Sequence, residues 1–451
     1  MGEHISNSEL SVFAHDKLTF ERERREEIES HLANCAECGA TYDFYSVAEE
    51  DLGDLAVWQP IIGSTAAAMR AYANQCAAED AEADELLKEY FENPRKAAVA
   101  NIRNQRKFHT GGVVRRLNAK AHETVASEPL EALIFADLAA AVAELLPDGT
   151  YPNNAVYELR GTAAKERANA LLRLAEFDEA LKALEQAANA YEHLRSSGQG
   201  LASVELVRAA VYYERGELQE AAKYVALAEQ GYAHLGLERQ RMKAVLLRGQ
   251  VAYESLRYAE SGAIMQNVMR FGEKIGDAAW VARGSYCRAL CELELGNLSE
   301  ASMLFGAALM IFREVGPTED RISTEWGLAR VVLHDGKARD AVRQLRDVIA
   351  AFEDLGRVTN VALAGIDLAE ALLVLERWDE IVKIAAHAFR VLKKAGHLTG
   401  ALTALAYLKE AAAKRQLTPQ TLKAVREYLR EWSASPTSYS CRRPSHDNRS
   451  P

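Results

Sequence analysis

A period of forty residues decides what this chain can fold into. The tetrapeptides FDEA (ending at Ala180), LQEA (Ala221), YAES (Ser261), LSEA (Ala301), ARDA (Ala341) and WDEI (Ile381) follow one another at spacings of 41, 40, 40, 40 and 40. A second marker keeps the same register at Leu194, Leu235, Ile275, Val315, Leu355 and Ala395. From the second copy onward it is followed by Gly236, Gly276, Gly316, Gly356 and Gly396, as expected where a helix ends in a left-handed residue. Small residues recur on both sides of each turn: Ala168, Ala209, Gly249, Ala289, Ala329 and Ala369 before it, Ala187, Ala228, Val268, Ala308, Val348 and Ala388 after it. Small side chains at facing positions let two helices approach closely. Of the 10 prolines, only Pro317 falls between residues 153 and 418, so one helix breaker interrupts a long stretch rich in helix formers.

These hairpins resemble the tetratricopeptide repeat, here with a period near 40 rather than 34 residues. The resemblance implies an all-α chain whose main body is an α-solenoid of six clear copies, with degenerate copies at its ends. The expected organisation is a metal-binding module over 1–45, a helical connector over 46–112, a degenerate hairpin over 113–152, the solenoid over 153–432, and a disordered Ser-, Pro- and Arg-rich tail over 433–451. In the family register the first helix of each copy lines the concave surface. This makes Leu206, Tyr213, Leu246, Gln250, Tyr253, Tyr286, Trp326 and Arg330 candidates for a groove that binds a protein or peptide, since solenoids use this face and aromatic and Arg side chains favour interface centres.

The N-terminus carries metal chemistry. His31 and Cys35 are four apart, one helical turn, and Cys35 and Cys38 form the two-residue knuckle usual for tetrahedral zinc. Three ligands ask for a fourth, for which His4 and His15 are the upstream candidates and an Asp or Glu the other option. This pattern, with Leu10 and Phe13 on a first helix and Glu21 to Ile28 leading into His31, resembles the zinc-associated anti-sigma domain. The resemblance covers about 45 residues. It favours His4 as the fourth ligand of one structural Zn²⁺ and implies a sigma factor as protein partner. Many family members continue into a membrane helix, and none is expected from this sequence. The combination with a long repeat array resembles a family of bacterial cytoplasmic zinc-finger proteins with tetratricopeptide repeats.

Charge and motifs narrow the function further. Lys+Arg is 54 against Asp+Glu 65, a net −11, which argues against a nucleic-acid coat or a polybasic membrane anchor. The first thirty residues are charged throughout and the longest uncharged run, Leu55 to Met69, is interrupted by polar residues, so neither a signal peptide nor a membrane span is expected and the chain reads as cytoplasmic. The phosphate-binding loop, the nucleophile elbow, the HExxH zinc motif and the dinucleotide fingerprint are all missing. The expected function is therefore non-enzymatic, and the resemblances imply a regulator whose zinc module docks a sigma factor while the solenoid binds a second protein. The alternative is a general scaffold whose zinc module is only structural. Acidic residues from Asp80 to Glu92 and basic ones from Arg103 to Arg116 are expected to face each other.

Overall fold

The computed structural model describes residues 5, 9–10, 12–13, 20, 22–35, 38–39, 42, 55–93, 105–194, 198–394 and 399–432. His4, His15, Gly396 and the 433–451 tail lie outside them. Every regular element among the described residues is helical, and the chain separates into two compact units, residues 1–79 and 80–451.

In the first unit, helix α1 (Arg22–Asn34) packs Ile28 into a small core with Leu10 and Phe13, all buried. The Phe13 ring stands edge-on to Phe20 at 5.7 Å and lies 6.0 Å from Tyr42. Arg24 ties this helix to Glu9 at 3.0 Å. Helix α2 (Leu55–Glu92) follows, and its residues from Asp80 on belong to the second unit. There Ala83 and Leu87 share a core with Phe108 and with α3 (Gly111–Thr124) and α4 (Pro129–Ala143). The acidic and basic stretches do meet: Arg115 binds Asp80 at 2.8 Å and Arg116 binds Asp84 at 2.7 Å.

Six helical hairpins come next. The first helices are α5 (Asn153–Arg173), α7 (Gly198–Glu214), α9 (Glu238–Glu254), α11 (Ala278–Glu294), α13 (Thr318–His334) and α15 (Val358–Val374). The second helices are α6 (Phe177–Glu192), α8 (Leu218–His234), α10 (Tyr258–Ile275), α12 (Leu298–Val315), α14 (Ala338–Asp354) and α16 (Trp378–Lys394). Each second helix begins on the first residue of a tetrapeptide marker. The marker's carboxylate thus sits in the first turn, where free N–H groups and the helix dipole favour negative charge. The marker's last residue (Ala180, Ala221, Ser261, Ala301, Ala341 or Ile381) is fully buried against the preceding helix. At Ser261 the approach is close enough for Oγ to donate to the Gly249 carbonyl at 2.7 Å. Neighbouring helices pack in sequence, and each first helix also touches the first helix of the next copy, which makes the array continuous. Helices α17 (Thr399–Ala413) and α18 (Pro419–Trp432) end the described chain, and α18 returns to pack on α15.

The inter-repeat glycines follow the expected left-handed conformation at Gly236, Gly276 and Gly356, with φ of 65°, 67° and 65°. Gly316 departs from it. Its φ of −93° and ψ of 161° are extended, because Pro317 follows and the proline ring excludes compact conformations from the preceding residue. A second left-handed position, inside each hairpin, carries no common residue type: Ala175, Gly216, Leu256, Gly296, Gly336 and Glu376 all have φ between 55° and 81°.

Candidate functional site

Two constellations stand out. In the N-terminal unit, α1 delivers His31 at its end, and the Cys35 N–H donates to the His31 carbonyl at 2.8 Å while the Gly39 N–H donates to the Cys35 carbonyl at 2.9 Å. One ligand atom of each of His31, Cys35 and Cys38 thus comes close to a common point. Their ligand atoms all lie within 4.8 Å of one another, and Cys38 is buried. Tetrahedral zinc with bonds of about 2.0–2.3 Å holds its ligand atoms at most roughly 3.8 Å apart, so small side-chain rotations bring this group to bonding geometry. The donor set of one imidazole and two thiols suits zinc. The group can hold a metal ion, and the fourth candidates, His4 and His15, lie outside the described residues.

In the second unit, the first helices of the first three hairpins enclose a cavity of about 550 Å³. Helix α5 contributes Asn154, Thr162, Lys165 and Asn169 at helical spacing; α7 contributes Ser203, Leu206 and Tyr213; α9 contributes Gln240, Lys243, Leu246 and Gln250. Tyr191 and Tyr232 close it from the second helices α6 and α8. Four of the groove residues expected from the sequence, Leu206, Tyr213, Leu246 and Gln250, therefore line one cavity.

Polar groups in and beside this cavity are strongly conditioned. Glu166 is buried with its carboxylate accepting from Lys165 at 2.9 Å, His122 Nδ1 at 3.1 Å and Asn169 at 3.1 Å. Burial alone would raise its pKa, but Lys165 and then His122 hold it well below the ordinary carboxylate value. Burial pushes the Tyr232 hydroxyl up to about 12, and raises that of Tyr191, which pairs with Thr162 at 3.2 Å. Lys243 moves the other way: burial and then Arg239, Arg283 and Lys165 lower its pKa.

The remaining groove residues are placed differently. Tyr253 donates to Glu294 at 3.1 Å, and Arg330 binds the same carboxylate at 2.9 Å. Tyr286 is buried edge-on to Phe305, and Trp326 is buried edge-on to Phe352 with its indole N–H donating to Asp367 at 2.7 Å. Arg426 of α18 reaches in to bind Asp367 at 2.7 Å and Glu370 at 2.6 Å. Only about 20 Å³ of space remains among Tyr286, Trp326, Arg330 and Arg426. The inner face is thus open over the first three hairpins and filled over the fourth to sixth. Lys165, Lys243, Tyr191 and Tyr232 were not among the groove residues expected from the sequence.

No protein-family model matches the sequence, and no curated protein matches it either. Solved structures do. The aspartyl phosphate phosphatase F of Bacillus subtilis superimposes with a TM-score of 0.50 at 12% identity, over 88% of this chain and 97% of its own. A Rap protein complexed with competence and sporulation factor gives a TM-score of 0.43 at 14% identity, over 71% and 100% of the two chains. A tetratricopeptide repeat protein from Parabacteroides merdae gives 0.41 at 15% identity, over 70% and 98%. At these identities the likeness is one of fold, a solenoid of helical hairpins.

Proposed function

We propose that the chain is a non-enzymatic, cytoplasmic interaction protein: the inner face of its first three hairpins holds a segment of a partner protein, while a zinc-stapled N-terminal module docks another. The observation that carries this reading is the 550 Å³ cavity, built from the inner faces of three consecutive first helices and closed by tyrosines. Its volume is that of ligand sites, and its position is the one by which solenoids engage partners. The metal group supports the second half. One Zn²⁺ on His31, Cys35 and Cys38, with His4 completing the set by resemblance and His15 as its rival, has four protein ligands and no open position, which makes it structural. A module this small has little core of its own, so the metal contributes directly to its folding. The resemblance to the anti-sigma domain names a sigma factor as the module's partner.

The full-length chain, expressed in its native host with a photo-crosslinking benzoylphenylalanine at Ser203, tests the groove. A discrete partner is expected there and not from the same group at Met310, which is 69% exposed on α12. Identical or empty crosslink patterns at the two positions would remove the groove reading. In parallel, the purified chain is expected to carry one zinc equivalent and to retain a host sigma factor, both lost in a Cys35→Ala, Cys38→Ala variant. Zinc without any retained sigma factor leaves the scaffold alternative standing.

A further inference from the structure

The cavity of the first three hairpins has a chemical preference that its shape does not reveal. Among the described residues no carboxylate pairs with Lys243, although the amino group is half-buried and lines the cavity. Its charged neighbours are all cationic: Arg239, Arg283 and Lys165. Arg239 is already engaged by Asp277 at 2.6 Å and Lys165 by Glu166 at 2.9 Å. A half-buried ammonium facing three cations is costly, and its lowered pKa reports that cost. Of the carboxylates around the cavity, Glu166 is taken up by Lys165, His122 and Asn169, Glu214 has its own interaction within the protein although its buried Oε2 accepts no hydrogen bond among the described residues, and Glu158 is exposed to solvent.

A second, independent observation lies on the same helix face. Gln250 is 3% exposed and lines the cavity, and its Nε2 donates to nothing among the described residues. A buried amide N–H without an acceptor costs about 1–3 kcal/mol, a penalty that a ligand oxygen would remove. Gln240, Lys243, Leu247 and Gln250 are spaced 3, 4 and 3 apart and form one stripe. At 1.5 Å per residue, Lys243 and Gln250 stand about 10 Å apart along α9, the reach of about three residues of extended chain. The Lys243 ammonium and the Gln250 Nε2 both donate, so what fits between them must present an acceptor to each.

Resting on the groove reading above, we infer that the cavity binds an acidic peptide in extended form, its carboxylate on Lys243 and a backbone carbonyl about three residues away on Gln250. Arg239 and Arg283 add long-range attraction for the carboxylate, and Tyr213 and Tyr232 supply apolar walls for intervening side chains. The carboxylate can come from an Asp or Glu side chain or from the peptide's C-terminus.

The probes are fluorescein-labelled octapeptide pools, randomised except for one position held as Asp, Asn or Lys, each made with a free and an amidated C-terminus. Full-length protein is titrated with each pool and followed by fluorescence polarisation. At one or more positions the Asp pools are expected to bind about tenfold tighter than the Lys pools. That preference should vanish in Lys243→Met and persist in Lys383→Met, a lysine outside this cavity. Gln250→Leu should weaken the Asp and Asn pools alike, leaving the acid preference in place. Loss of binding on amidation assigns the carboxylate to the C-terminus, and unchanged binding assigns it to a side chain. Equal affinity for Asp and Lys pools, or an acid preference that survives in Lys243→Met, overturns the inference while the groove reading stands. Absence of binding by every pool removes both. Thermal melting of Lys243→Met guards against misfolding: the variant discards an uncompensated charge, so its midpoint should equal or exceed that of the wild type.

Discussion

Among single side chains, the informative contrast is between groove candidates that line space and those that fill it. Leu246 and Trp326 occupy the same register two copies apart, and both are buried. Leu246 still borders the 550 Å³ cavity, whereas Trp326 is wedged between Phe352 and the Asp367 carboxylate. Sequence register identifies the face a residue shares and not the depth at which it ends, because depth depends on what comes back to cover that face. Here the cover is Arg426, far along the chain. Trp326→Ala is therefore expected to lower stability by about 3–5 kcal/mol, as large aromatic truncations in cores do, with a matching fall in the melting midpoint. A melt within a degree or two of the wild type would mean that Trp326 is not core. The lysine that sets the cavity's charge had a signal that register could have exposed. Thr162, Ser203, Lys243, Arg283 and Ser323 form a polar column at the 40-residue period, one turn ahead of the Leu206 and Leu246 column. Its meaning appears only once Glu166 is seen to be already spoken for.

The hairpins themselves were legible because their signals are local. Each tetrapeptide marker opens a second helix, and its acidic residue, buried small residue and turn act over a few residues of chain. Gly316 shows the limit of reading a column without its neighbours: the proline that follows it overrides the glycine's freedom. The left-handed residue within each hairpin escaped notice because only Gly216, Gly296 and Gly336 mark it by type. At Leu256 the φ of 60° is imposed by the turn, in which the Arg257 N–H closes onto the Ala252 carbonyl at 2.9 Å. The Leu256 side chain is 72% exposed, so it gives little packing in return. Leu256→Gly should stabilise the protein by about 1 kcal/mol, read as a higher midpoint in chemical denaturation. A destabilised variant would show that the leucine side chain contributes more than its exposure indicates. The metal-ligand motif was equally local in sequence, and His31, Cys35 and Cys38 do converge.

For the chain taken entire, the period established an all-helical solenoid, and the structure adds that its inner face is not one continuous groove. The fourth to sixth hairpins close around Trp326, Arg330, Asp367 and Arg426, and the first three remain open around Lys243. No repeat pattern can announce such a division, because it arises from the return of α18 onto α15. A partner held in the open half must cover Lys243, and lysine footprinting reads that cover. The full-length chain is recovered from its native host with its bound partner, and one portion is stripped of it by high salt. Both are acylated briefly at a pH below the usual lysine value, where burial and cationic neighbours leave Lys243 with more reactive free amine than an ordinary lysine of equal exposure. Mass spectrometry then compares Lys243 with Lys182 and Lys223, which are 66% and 58% exposed on α6 and α8. Strong protection of Lys243 in the complex, with Lys182 and Lys223 unchanged, is the predicted result; equal labelling of Lys243 with and without the partner would contradict it.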